Sequence, residues 1–136
     1  MIALDTSSLI AYFSGDSGED VGLVETALVQ KQAVLPPAVV SELLSDPKLP
    51  LHVAKLIRDV PQLSLTEGYW ERVGWLRSRV IAKGLKARLA DALIAQSCLD
   101  HRVSLVTRDS DFRHFEKTSG LKLLGESPFV KTTVDQ

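Results

Sequence analysis

The sequence predicts a three-layer α/β/α domain built on a parallel sheet of about five strands. Short apolar runs at 2–4, 33–35, 62–65, 103–107 and 121–124 have the length of buried strands. Between them lie segments with apolar residues at helical spacing, and that alternation implies parallel neighbours covered on both faces. The chain's 136 residues suit a single domain, 1–136. At this length a chain buries about two-thirds of its unfolded surface and needs no disulfide or structural metal.

Taken in order, residues 2–4 form a strand ending at Asp5. A short helix follows from Thr6 to Phe13, stopped by Ser14-Gly15-Asp16 and Ser17-Gly18. Residues 21–32 place Val21, Val24 and Leu28 on one helical stripe. The strand at 33–35 is cut off by Pro36-Pro37, and Pro37 suits the first turn of a helix running to Ser45. Asp46-Pro47 closes that helix, because a residue before proline is pushed out of the helical region. Residues 51–60 carry Val53, Leu56, Ile57 and Val60 on one side, and 62–65 alternate as a third strand. A long helix at 66–83 turns Tyr69, Val73, Leu76 and Val80 inward and stops at Gly84. Residues 89–101 form a helix that is apolar nearly all round. The strand at 103–107, a helical turn at 112–116 and a last strand at 121–124 complete the chain.

A hydrophobic content of 45% fits a globular core and argues against disorder. The single cysteine, Cys98, has no internal disulfide partner and reads as a small core hydrophobe, which suits a reducing, cytoplasmic setting. No basic leader precedes Asp5, and no apolar run approaches the ~20 residues of a membrane span. Net charge is −1, yet residues 71–88 concentrate Arg72, Arg77, Arg79, Lys83, Lys86 and Arg88 against one acid, Glu71. That run is either a solvated helix face or a rim for phosphates, with Lys83, Lys86 and Arg88 the candidate phosphate contacts. Trp70 and Trp75 are expected in the core or at a subunit interface. His52, His101 and His114 lack ligand spacing, and no glycine-rich phosphate loop occurs.

Five acids carry the chemistry. In open α/β sheets ligands bind beyond the carboxyl ends of the strands. Asp5 follows the first strand, and Asp109 and Asp111 follow the strand at 103–107. Each has an ordinary alternative. Asp5 suits the N-cap of the helix after it, and Asp111 the start of the turn after it. Glu42, among Val39, Val40, Leu43 and Leu44, reads alone as a boundary residue. Asp91 suits a first helical turn. It lies, however, in Leu89-Ala90-Asp91-Ala92-Leu93-Ile94-Ala95, a buried helix where a lone carboxylate is costly or protonated. Carboxylates meeting at one edge repel unless a divalent cation neutralises them, which points to phosphodiester chemistry. Asp5, Asp91 and Asp109 are the expected main shell, with Glu42 as a ligand or as a group orienting water. Thr6, Ser7 and Thr107 offer supporting hydroxyls.

Asp5-Thr6-Ser7 after the first strand, Glu42, the Asp91-Ala92-Leu93-Ile94-Ala95 helix, and Leu105-Val106-Thr107-Arg108-Asp109-Ser110-Asp111-Phe112 together resemble the PIN domain, and in size and placement the VapC toxins of bacterial toxin–antitoxin pairs. The resemblance runs from Met1 to Leu124. It implies strand order 3-2-1-4-5 and a Mg²⁺- or Mn²⁺-dependent ribonuclease. It puts catalytic acids at Asp5, Glu42, Asp91 and Asp109, and gives Asp111 a further metal-site position. It also implies a homodimer and a cognate antitoxin. No motif covers residues 125–136. The competing reading is a catalytically silent PIN-like module that binds RNA or protein. A haloacid-dehalogenase-type phosphotransferase would need an acid two residues after Asp5, where this chain has Ser7.

Overall fold

In the computed structural model, which describes residues 1–125, four parallel strands form one sheet in the order β2-β1-β3-β4. These are β1 (Ile2–Leu4), β2 (Ala33–Val34), β3 (Ser104–Val106) and β4 (Leu123–Leu124). The stretch 126–136 lies outside the described residues. Ala3, Leu4, Leu105 and Val106 are fully buried, as uninterrupted apolar strands covered on both faces must be. Leu4 stands opposite Val106, so β1 and β3 end side by side.

The strand expected at 62–65 shrinks to one parallel bridge between Leu35 and Gln62. Pro61 has no N–H to give to a ladder, and Leu63 is the one buried residue of 61–67. With that bridge counted as the third strand, the 3-2-1-4-5 order holds.

Seven helices flank the sheet among the described residues: α1 (Thr6–Phe13), α2 (Glu19–Val29), α3 (Pro37–Leu44), α4 (Leu51–Asp59), α5 (Tyr69–Ala82), α6 (Leu89–His101) and α7 (Phe112–Ser119). Helix α6 packs on α3, α5, α7 and β3. Its Ala92, Ile94, Ala95 and Cys98 are buried, so its apolar circumference is used on nearly every side. Helix α5 begins at Tyr69 because Gly68 takes a left-handed conformation (φ 80°) just before it. The Arg72 guanidinium donates to both Asp100 oxygens, at 2.9 and 2.7 Å, and the Tyr69 hydroxyl donates to Leu93 O at 2.6 Å. Both contacts join α5 to α6.

Tyr69, Val73, Leu76 and Val80 face inward as expected, but Trp70 and Trp75 do not belong to the core. They are 65% and 63% exposed. Each sits one residue from the inward stripe, and a step of about 100° around the helix turns it outward. No described helix is long and apolar enough to cross a membrane.

Candidate metal centre

Asp5 and Thr107 are the first residues beyond β1 and β3. Asp5 N donates to Val106 O at 2.9 Å, extending the ladder by one bond. The two side chains therefore meet, and Thr107 Oγ1 donates to Asp5 Oδ2 at 2.7 Å. Ser7 Oγ donates to the same oxygen at 2.7 Å. Asp5 occupies the N-cap position of α1 but makes no side-chain capping bond there; its carboxylate is turned toward the two hydroxyls. Burial raises its pKa, the hydroxyl bonds only partly offset that, and the Glu42 charge adds to the rise.

Asp91 enters from the first turn of α6 and is 8% exposed. Asp109 and Asp111 come from the loop after Thr107. That loop folds on itself: Asp109 N donates to Thr107 Oγ1 at 3.0 Å, and Asp111 N to Asp109 Oδ1 at 2.9 Å. Asp91, Asp109 and Asp111 thereby bring carboxylate oxygens within 4.8 Å of one another. The Asp91 carboxyl is pushed up to about 7, first by burial, then by the charges of Asp109, Asp5 and Asp111, against the opposing Arg88. Among the described residues, Asp91 Oδ2 is the buried side-chain oxygen with no hydrogen-bond partner. An orphaned carboxylate oxygen amid other carboxylates fits a divalent cation, and an all-oxygen donor set suits Mg²⁺ or Mn²⁺.

The compact trio contains Asp111; Asp5 stands beside it, within reach of the Asp91 charge, with Oδ2 engaged by Ser7 and Thr107. Glu42 lies further out, exposed on α3, where Thr6 Oγ1 donates to its Oε1 at 2.5 Å. Lys86 Nζ is 3.3 Å from Asp111 Oδ2, and Arg88 is the N-cap residue of α6, one turn from Asp91. Lys83 is exposed at the C-terminal end of α5.

One buried polar group near this edge escapes a reading of the sequence. Asp20, at the start of α2, is 1% exposed and is bound by Arg108, the residue between Thr107 and Asp109. Arg108 stands in the same motif as the acids, but nothing in the linear pattern pairs it with position 20.

The PIN domain family model matches residues 2–118, and the chain belongs to that family. Its fold is shared with chains of solved VapBC and FitAcB structures. One is from VapBC2 of Rickettsia felis bound to a promoter DNA fragment (21% identity, TM-score 0.67, covering 91% of this chain and 98% of that one). Another is from DNA-bound VapBC of Salmonella typhimurium (18%, 0.69, 93% and 98%). A third is from FitAcB of Neisseria gonorrhoeae (19%, 0.67, 92% and 97%). No curated protein matches the chain significantly.

Proposed function

We propose that this chain is a divalent-metal-dependent endoribonuclease that cleaves RNA phosphodiester bonds, and that it is the toxin of a cytoplasmic toxin–antitoxin pair. The observation that carries the reading is the meeting of Asp91, Asp109 and Asp111 beside Asp5, with Asp91 Oδ2 buried and unpartnered. Two carboxylates ~5 Å apart repel by about 3 kcal/mol at an effective dielectric near 20, and adding a third and fourth compounds the effect. Lys86 pairs with Asp111 and Arg88 opposes the rise at Asp91, but they leave Asp91 Oδ2 without a partner, and a divalent cation would supply the charge that the remaining acids lack.

Asp91, Asp109 and Asp111 would hold Mg²⁺ or Mn²⁺, with Asp5 completing the negative wall. A divalent cation in such a site polarises a phosphate and lowers the pKa of a water molecule. Thr107 and Ser7 fix the Asp5 carboxylate through two hydroxyl donors. Glu42, held by Thr6, would be the group to orient or take a proton from an attacking water. Lys86 and Arg88, beside the acids, and Lys83 at the end of α5 would grip the RNA backbone and give affinity without sequence choice. The complexes formed by the similar structures support a cognate antitoxin as partner, and the homodimer is proposed from the family resemblance.

The test is RNA cleavage with Mg²⁺, with Mg²⁺ plus EDTA, and by the Asp5→Asn and Asp91→Asn variants. Cleavage should require the cation and disappear in both folded variants. Full activity in either variant overturns the assignment. RNA binding without cleavage by the intact protein favours the silent-module reading instead.

A further inference from the structure

We infer that Asp20 and Arg108 form a latch that holds the 107–111 loop in its cation-binding shape, which makes Asp20 a positioning residue for a site it does not touch. The inference rests on the metal-binding reading of that site.

Arg108 Nε donates to Asp20 Oδ2 at 2.8 Å and Nη2 to Oδ1 at 3.0 Å, a bidentate fork. Ser8 Oγ, from α1, donates to Asp20 Oδ2 at 2.8 Å, and Arg108 Nη2 also donates to Ser17 O at 3.0 Å. Asp16 Oδ2 adds a longer ionic contact at 3.9 Å. Burial works to raise the Asp20 carboxyl, but the Arg108 and Ser8 bonds and the guanidinium charge bring it below its ordinary value. Asp20 is buried and Arg108 partly so, and the fork with its Ser8 and Ser17 partners restricts the pair to a narrow geometry.

That geometry is passed to the site through a single peptide on each side. Residue 108 reaches toward α2 while both neighbours reach toward the acids. Thr107 bonds Asp5 and receives Asp109 N, and Asp109 receives Asp111 N. Arg108 N itself approaches Ser7 Oγ at 3.4 Å. The loop is thus tied on one flank to Asp5 and Ser7 and on the other to Asp20. Carboxylates that repel one another need such restraint to stay together, and a ligand shell is only as well ordered as the groups that support it.

Gly18 belongs to the same device. A Cβ there would stand 2.6 Å from Asp20 Oδ1 and 3.0 Å from Arg108 Nη2, at a φ of +147° that side-chain-bearing residues rarely adopt. The 16–18 turn leaves room for the fork because it carries no side chain at that point.

The double variant Asp20→Asn/Arg108→Met removes the latch without stranding a buried charge. Two measurements separate positioning from mere support. Without metal, the amides of Asp109 and Asp111 should exchange hydrogen at least tenfold faster, while those of β1 and β3 stay within twofold of wild type. With Mn²⁺ followed by electron paramagnetic resonance, the dissociation constant should rise at least tenfold. Arg108→Lys, which keeps the charge but not the fork, should fall between. Unchanged loop exchange and Mn²⁺ affinity in a folded double variant overturn the inference, even if its thermal stability falls. Should the double variant fail to fold, Gly18→Ala, which crowds the fork without removing it, is read by the same criteria. Failure of wild-type protein to bind Mn²⁺ overturns the proposed function and the metal arm of the latch together. Loop exchange then decides, on its own, whether the latch exists.

Discussion

Replacing Asp91 by asparagine should stabilise the metal-free protein at pH 8, although it removes the group on which the proposed activity depends. The carboxyl titrates near 3.8 when unperturbed and near 7 in the fold. Between those values the folded protein binds a proton that the unfolded chain has released. Stability therefore falls as pH rises through that window and levels off above about 7. A shift of about three units corresponds to about 4 kcal/mol at 1.36 kcal/mol per unit. Water at the mouth of the site screens the charges, so about half of that, ~2 kcal/mol, is the expected cost of an ionised Asp91. An unfolding entropy of about 2.1 cal/mol/K per residue then gives a Tm rise of about 7 °C for Asp91→Asn at pH 8. At pH 3, below both values, Asp91 is protonated in folded and unfolded wild type and the difference should nearly vanish. Saturating Mg²⁺ at pH 8 should raise the wild-type Tm and leave the variant nearly unmoved, because bound ligand stabilises only the form that binds it. Thermal unfolding followed by circular dichroism at both pH values, with EDTA or Mg²⁺, measures all of this. A variant less stable than wild type at pH 8, or a difference that does not depend on pH, refutes the account of Asp91 as a carboxylate crowded by its neighbours.

Two further outcomes follow from the same geometry. Thr107→Val keeps the shape of the side chain but deletes the donor to Asp5 Oδ2 and the acceptor for Asp109 N, and should cost about 1–3 kcal/mol in urea unfolding; a loss under ~0.5 kcal/mol would show that the hydroxyl is dispensable. Replacing Lys83, Lys86 and Arg88 together by alanine, in an Asp5→Asn background that leaves RNA uncut, should flatten the plot of log binding constant against log salt by about 2, at about 0.7 per phosphate contact for a single strand. An unchanged slope would remove the basic rim from the RNA interface.

The stripe Tyr69, Val73, Leu76 and Val80 and the all-round apolar helix around Asp91 were legible in the sequence because burial is written as periodicity. The 62–65 segment was misjudged in extent, since its alternation matches a strand while Pro61 and its exposed residues leave one bridge. Trp70 and Trp75 were partly misplaced for the opposite reason: large aromatic surface suggests a core, but helical phase decides which way a side chain points.

By itself the sequence determined an α/β chain with acids after its first strand and after the strand at 103–107, because alternating hydrophobic periods and turn chemistry are local properties. Only the tertiary structure decided that Asp111 joins Asp91 and Asp109 in the compact group, that Asp5 is bound by Thr107 and Ser7, and that Arg108 reaches Asp20. Each of these is a contact between segments whose separation is set by strand pairing and helix packing. The register that puts Leu4 opposite Val106 brings positions 5 and 107 together, and no local pattern at either position encodes it.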